Sequence, residues 1–227
     1  QSYYRGRLGR LNLPHEIRMI PSYFRAIPIA TEDTNFLLNA SEKKALLNLK
    51  YRSRSNDGGL QISNDFNILN KKSFKRVKKF IMSKVQEYTR DILCIENKLC
   101  MIQSWSTINK KGSQHHKHAH PNVFVSLVYY VDCDHNSGDL IFKTERGSIQ
   151  EGFNFDFNII KDNEYNSNGW VCKTKPGYLC IFPGHIEHHS SIHQGNNDRI
   201  MIGANFFVEG TIGYSNRTDS KMMIKVN

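Results

Sequence analysis

Eight of the ten histidines lie in two short windows. One holds His115, His116, His118 and His120; the other holds His185, His188, His189 and His193. Histidine at this density is rarely a packing choice, because each buried ring carries two nitrogens that need partners. Neutral imidazole is also the commonest side-chain ligand for first-row transition metals. Two neighbouring histidines and a third from far along the chain give three ligands on one face of a metal. The opposite face stays open for substrate and oxygen. In an extended segment residues i and i+2 share a face, so His118 can converge with His120, or His116 with His118. Pro121 ends ladder pairing there and suits a strand end that opens into a pocket. His188 follows residues 181–184, a strand running into a turn. Arg199 begins the next strand. A buried arginine is costly unless it meets an anion, and a carboxylate is its natural bidentate partner.

The elements that must position these groups fall into two halves. Residues 41–50 read as a short helix with Ala45, Leu46 and Leu49 on its apolar face, and Asn56 to Gly59 as a turn. Phe74, Val77, Ile81, Val85, Tyr88 and Ile92 recur at spacings of three and four, which predicts an amphipathic helix over 72–93. Lysines and Arg76 fill its outer side, so it reads as a buttress. Beyond it the pattern changes to strands: 99–108, 123–131, 139–142 and 199–208. Phe153, Phe155, Phe157 and Ile159 alternate with polar residues, and segments 170–174 and 178–182 flank Lys175-Pro176-Gly177 as an expected hairpin. The Asn-rich stretch 154–168 reads as a long loop or lid. Short strands separated by turns point to a sandwich or jelly roll.

Composition narrows the class. Across 227 residues, 39% apolar and 11% aromatic content is globular, and the longest apolar runs are too short to span a bilayer. No secretory signal can be read at the start. Five cysteines without a close-spaced pair suit a reducing compartment, hence a cytoplasmic location, the host's if the protein is viral. Residues 1–104 hold 19 Lys+Arg against 9 Asp+Glu, and residues 105–227 hold 12 of each. The basic excess belongs to the N-terminal half, which could attract an acidic or nucleic-acid partner; a solvated lysine face is the plainer reading. The expected organisation is a basic lead-in and helical buttress over 1–98, a catalytic core over 99–210 and a tail over 211–227.

The chain resembles the 2-oxoglutarate and Fe(II)-dependent oxygenases, in a branch found largely in phages and marine bacteria. The resemblance rests on an ordered set of short pieces: the run from Ser55 to Ser63, Ser104-Trp105 with Asn109 and Gly112, and His118-Ala119-His120-Pro121-Asn122. It continues through the runs from Ser126 to Val131, Ser137 to Phe142 and Pro176 to Pro183, then Glu187-His188 and Arg199 to Asn205. It implies a mainly β fold: a double-stranded β-helix (jelly-roll, cupin-like) barrel braced by N-terminal α-helices. It implies Fe(II) as cofactor and 2-oxoglutarate as co-substrate. His118, His120 and His188 would hold the metal, and Arg199 with Tyr130 would clamp the distal carboxylate. Asn205 falls on a further position of the pattern and is counted with the co-substrate residues. The implied reaction hydroxylates an unactivated C–H of a peptidyl or small-molecule substrate, releasing succinate and CO2. No side-chain general base is needed.

Two departures stand out. His120 occupies the place where the wider superfamily puts an aspartate or glutamate, leaving the centre one unit more positive unless a carboxylate such as Asp139 reaches the metal. Met201 stands where a small hydroxyl residue beside the arginine is expected. His115 and His116 read as solvated loop residues, His185, His189 and His193 as outer or surface groups, and Trp105 as wall or core. Two rival functions share these features. One is a cupin-type three-histidine dioxygenase that needs no 2-oxoglutarate. The other is a basic interaction module with structural zinc.

Overall fold

The computed structural model describes residues 27–143, 158, 160–161, 166, 169–213 and 221–226. Its strands, numbered in chain order, form two antiparallel sheets. The larger runs β1 (Ala30–Asp33), β8 (Tyr178–Pro183), β5 (Val125–Asp132), β10 (Arg199–Ile212), β4 (Lys98–Asn109), β3 (Leu60–Ser63) and β2 (Tyr51–Arg54), with β11 (Met222–Ile224) on β10. The smaller runs β7 (Gly169–Cys172), β6 (Leu140–Lys143) and β9 (His188–Ser190). The two face each other as a double-stranded β-helix.

A period of two assigns the faces of the large sheet. From β5, Val125, Leu127, Tyr129 and Val131 point to one side; Val128 and Tyr130 point to the other. On β10, Ile202, Ala204 and Phe206 share the first side, and Met201 the second. The first side is covered by helices α1 (Ala40–Leu47) and α2 (Lys75–Glu87), the latter continuing as a π turn over Tyr88–Ile92. Val77, Ile81 and Val85 of α2 are fully buried, one helical turn apart, and Tyr88 extends their stripe. Asn39 and Glu42 close a capping box on α1, and the buried Glu42 carboxylate also takes Arg76 of α2 in a two-pronged ion pair. The second side meets Leu140, Phe142 and Cys172 of the small sheet, and the histidines enter there.

Both predicted helices and the strands expected at 99–108, 123–131, 139–142 and 199–208 appear close to their expected bounds. The hairpin across Lys175-Pro176-Gly177 does not form. β7 pairs with β6 in the small sheet, whereas β8 pairs with β5 and β1 in the large one. The turn instead carries the chain between sheets. Gly177, at φ +81°, donates to the Tyr130 carbonyl at 2.9 Å. Turn chemistry is the same for a hairpin and a crossover, so the residues alone did not separate them. Strands β1 to β3 also join the large sheet, although their segment reads as lead-in and buttress; each spans four residues, too few to show a period. The alternating segment 153–159 and the proposed lid 154–168 lie largely outside the described residues, as do residues 1–26 of the lead-in.

Candidate metal centre

His118 and His188 face each other across an antiparallel bridge. Each donates its backbone N–H to the other's carbonyl, at 3.0 and 2.9 Å. His120 N–H donates to the Gly184 carbonyl at 2.8 Å, extending the pairing by two residues. The segment 118–120 is therefore extended, and its two histidines share a face as their spacing predicts. β9 carries His188 opposite Phe142 of β6, so the small sheet sets the third ring. One nitrogen from each of His118, His120 and His188 lies within 4.8 Å of the others, and His120 Nε2 is 3.3 Å from His188 Nε2. The alternative pairing of His116 with His118 is not used: His116 turns to Asp57, its ring Nδ1 2.8 Å from Oδ1.

His118 Nδ1 donates to the His116 carbonyl at 2.7 Å, and His188 Nδ1 to the Ile186 carbonyl at 2.9 Å. Each such bond fixes the proton on Nδ1 and leaves Nε2 with a free lone pair. Burial, reinforced by the neighbouring imidazoles, holds the His120 pKa down to about 4 and that of His188 to about 3. Burial also lowers His118. The rings are thus neutral ligands at physiological pH. Asp139 is not part of the cluster; its carboxylate pairs with Lys173 at 2.7 Å.

Arg199 lines the same cavity as the three rings and Tyr130. It is 3% exposed, yet its hydrogen bonds go to neutral groups only: Nη1 to the Gly138 carbonyl at 3.1 Å and Nη2 to Ser190 Oγ at 2.9 Å. Nε is buried with no hydrogen-bond partner, and no acidic side chain pairs with Arg199 among the described residues. A buried guanidinium held by neutral groups is a receptor for an anion. Burial lowers the Arg199 pKa, offset by Tyr130. Burial in turn pushes the Tyr130 hydroxyl well above its usual range, with Arg199 opposing. Tyr130 therefore stays a neutral donor.

Asn205 is placed elsewhere than expected. It stands behind His120, its amide 3.2 Å from Nδ1, rather than beside Arg199. Reading His115 as solvated also needs correction. His115 lines the cavity and is driven to a pKa of about 2 by burial. His116 is exposed but tied to Asp57 by both its ring and its backbone N–H. His193 is buried and bonds to the Asn197 carbonyl at 2.8 Å. Trp105 lines the cavity with its indole N–H unpartnered. Sequence reasoning missed Asp57, Ser190 and Gly138 as site-builders. Only Gly138 left a trace: at φ +82° it approaches Arg199 and the Ser191 carbonyl, where an ideal Cβ would sit 2.6 Å from that oxygen.

Residues 103–205 match the family described as "Putative 2OG-Fe(II) oxygenase". That stretch contains the three clustered histidines, Arg199, Tyr130 and Asn205, and over it this chain is similar to the 2OG-Fe(II) oxygenases. Solved structures share the fold. The non-heme alpha ketoglutarate dependent epimerase SnoN from nogalamycin biosynthesis is 11% identical, with a TM-score of 0.58 over 85% of this chain and 83% of that one. HygX from Streptomyces hygroscopicus, with nickel, 2-oxoglutarate and hygromycin B bound, is 10% identical, with a TM-score of 0.54 over 79% and 82%. A Pseudomonas putida prolyl-4-hydroxylase is 14% identical, with a TM-score of 0.51 over 81% and 94%. No curated protein matches the chain. Among the described residues no helix is long and apolar enough to cross a membrane.

Proposed function

We propose that this chain is an Fe(II)- and 2-oxoglutarate-dependent hydroxylase. The observation that carries this reading is the pairing of three converging imidazoles with a buried arginine that has no carboxylate partner among the described residues. The donor set fits the group. Imidazole suits Fe(II), His118 and His188 already present Nε2, and the unpartnered Arg199 Nε fits an added carboxylate. His118, His120 and His188 would hold the iron, with Arg199 and Tyr130 on the distal carboxylate of 2-oxoglutarate.

Bound together, iron and 2-oxoglutarate supply oxidative decarboxylation, consuming O2, releasing CO2 and succinate, and delivering one oxygen atom to a substrate C–H. The chain's own share is positional. The carbonyls of His116 and Ile186 orient two ligands. Ser190 and Gly138 fix the guanidinium plane. Trp105, Val128 and Met201 line the cavity and limit water. Met201 supplies no hydroxyl beside Arg199, so the clamp draws on Tyr130 and the guanidinium. The substrate is a peptidyl side chain or a small molecule that reaches this cavity.

Purified protein loaded with Fe(II) should release succinate from 2-oxoglutarate, and Arg199→Ala should weaken 2-oxoglutarate binding by roughly 2–5 kcal/mol. A cupin-type three-histidine dioxygenase needs no such clamp. Undiminished succinate release by Arg199→Ala, or none from the native protein, defeats the proposal.

A further inference from the structure

The three clustered histidines are not held alike. His118 and His188 each give Nδ1–H to a backbone carbonyl, a partner that can only accept. His120 has no such carbonyl. Its Nδ1 faces the side-chain amide of Asn205 at 3.2 Å. An amide can present either its oxygen or its NH2 to the same neighbour by a half-turn, so the His120 tautomer is decided by what orients Asn205.

Asn205 is 2% exposed and stands in register with Gln103 on β4 and Ser126 on β5. The three side chains form one hydrogen-bonded row. Ser126 Oγ lies 2.7 Å from one end of the amide, and Gln103 Oε1 lies 3.1 Å from the other. Two proton arrangements satisfy the row. In one, Ser126 donates to Asn205 Oδ1, and the Asn205 NH2 serves both Gln103 Oε1 and His120 Nδ1. The His120 proton then sits on Nε2, pointing at His188 Nε2 3.3 Å away. In the other, both amides turn over. Gln103 NH2 and His120 Nδ1–H donate to Asn205 Oδ1, Asn205 NH2 donates to Ser126 Oγ, and His120 Nε2 carries a lone pair. Only the second lets His120 join His118 and His188 on a cation.

Resting on the metal-site reading above, we propose that Asn205, oriented by Gln103 and Ser126, is a positioning residue that selects the metal-binding tautomer of His120. This gives the buried asparagine a task that does not involve the co-substrate. It also explains how a neutral ligand serves where an anion is usual: an aspartate needs no proton partner to present a lone pair, whereas a histidine does. Partners of this kind on the far nitrogen of a ligand histidine commonly contribute 10–100-fold to metal affinity.

Full-length protein titrated with Co(II) tests this, read by ligand-field absorption, with circular dichroism and melting in chelator to confirm folding. Asn205→Leu should weaken Co(II) binding by about 10–100-fold. Asn205→Asp, which can only accept from Nδ1–H, should bind at least as tightly as the native chain. Gln103→Glu tests proton direction with little change of shape, its added charge working against the expected loss. It is nearly isosteric, sits at an exposed position and can only accept, so it pulls the Asn205 NH2 toward itself and His120; binding should weaken about tenfold. Long-range proton–nitrogen NMR of the Zn(II)-loaded native protein and Asn205→Asp should show His120 protonated on Nδ1. Co(II) affinity unchanged within about twofold in folded Asn205→Leu and in Gln103→Glu overturns the proposal. So does a loaded His120 protonated on Nε2. If His118→Ala and His188→Ala abolish Co(II) binding while the Asn205 and Gln103 variants do not alter it, this inference alone fails. If those alanine variants bind normally, the site reading fails with it.

Discussion

Burial decides the protonation of the clustered rings, and this has a consequence for stability. His120 and His188 are held to about 4 and about 3 in the folded chain, against roughly 6.5 when unfolded. Below pH 6.5 the unfolded chain therefore binds protons that the folded chain refuses. Their contribution is whole above that pH and is lost as pH falls toward 4 and then 3, at up to about 1.4 kcal/mol per unit per ring. Urea unfolding of chelator-treated protein should show a midpoint that drops between neutral pH and about pH 5; a flat midpoint would contradict the burial of these rings. Tyr130 gives a second expectation at this scale. It remains a neutral donor near Arg199, so Tyr130→Phe should weaken 2-oxoglutarate binding by about 1 kcal/mol, roughly fivefold. Equilibrium titration of the iron-loaded protein measures it.

At the scale of elements, the contact between β4 and β10 sets the wall of the cavity. Gly203 stands opposite Trp105 in register, and an ideal Cβ at 203 would lie 2.5 Å from the indole ring. That ring is itself tilted against His120, with centroids 5.7 Å apart. Gly203→Ala must therefore move Trp105. We expect a loss of about 1–3 kcal/mol, read as a lowered melting temperature with a shifted indole emission. An unchanged emission would mean the ring has room to spare. Helix α2 was legible because its apolar residues repeat every three or four positions over several turns. Strand β9 was not: three residues, two of them histidine, carry no period. Its place beside β6 and the His118 bridge comes from contacts distant in sequence. The false hairpin across Lys175-Pro176-Gly177 has the same origin.

Across the whole molecule, the two faces of the large sheet separate structure from chemistry. The main core under α1 and α2 lies on one side, and the histidines lie on the other. Metal should therefore add to stability without being required for folding. At a metal concentration 100-fold above Kd the gain is about 2.7 kcal/mol, or roughly 5–10 °C in a chain of this size. Chelation should lower Tm by that amount and leave a cooperative transition. Collapse of the fold on chelation would instead favour a structural zinc module. The exposed lysines Lys75 and Lys79 sit on the outer surface of α2, which covers the face away from the centre. Reversing both to glutamate should leave succinate release unchanged, an outcome an activity assay reads directly.

The sequence by itself determined the chemistry on offer. The i, i+2 spacing of His118 and His120, the distant His188 and an arginine opening a strand are local facts, and local backbone geometry is enough to read them. The β-branched and aromatic runs of β5 and β10 likewise announced strands. Tertiary structure decided the rest, because it depends on pairing between strands far apart in the chain. It chose His118 and His120 over His116 and His118, turned His116 to Asp57, and gave Arg199 no carboxylate partner among the described residues. It also set Asn205 behind His120. A side chain's type fixes what it can bond; only the register of neighbouring strands fixes what it does bond.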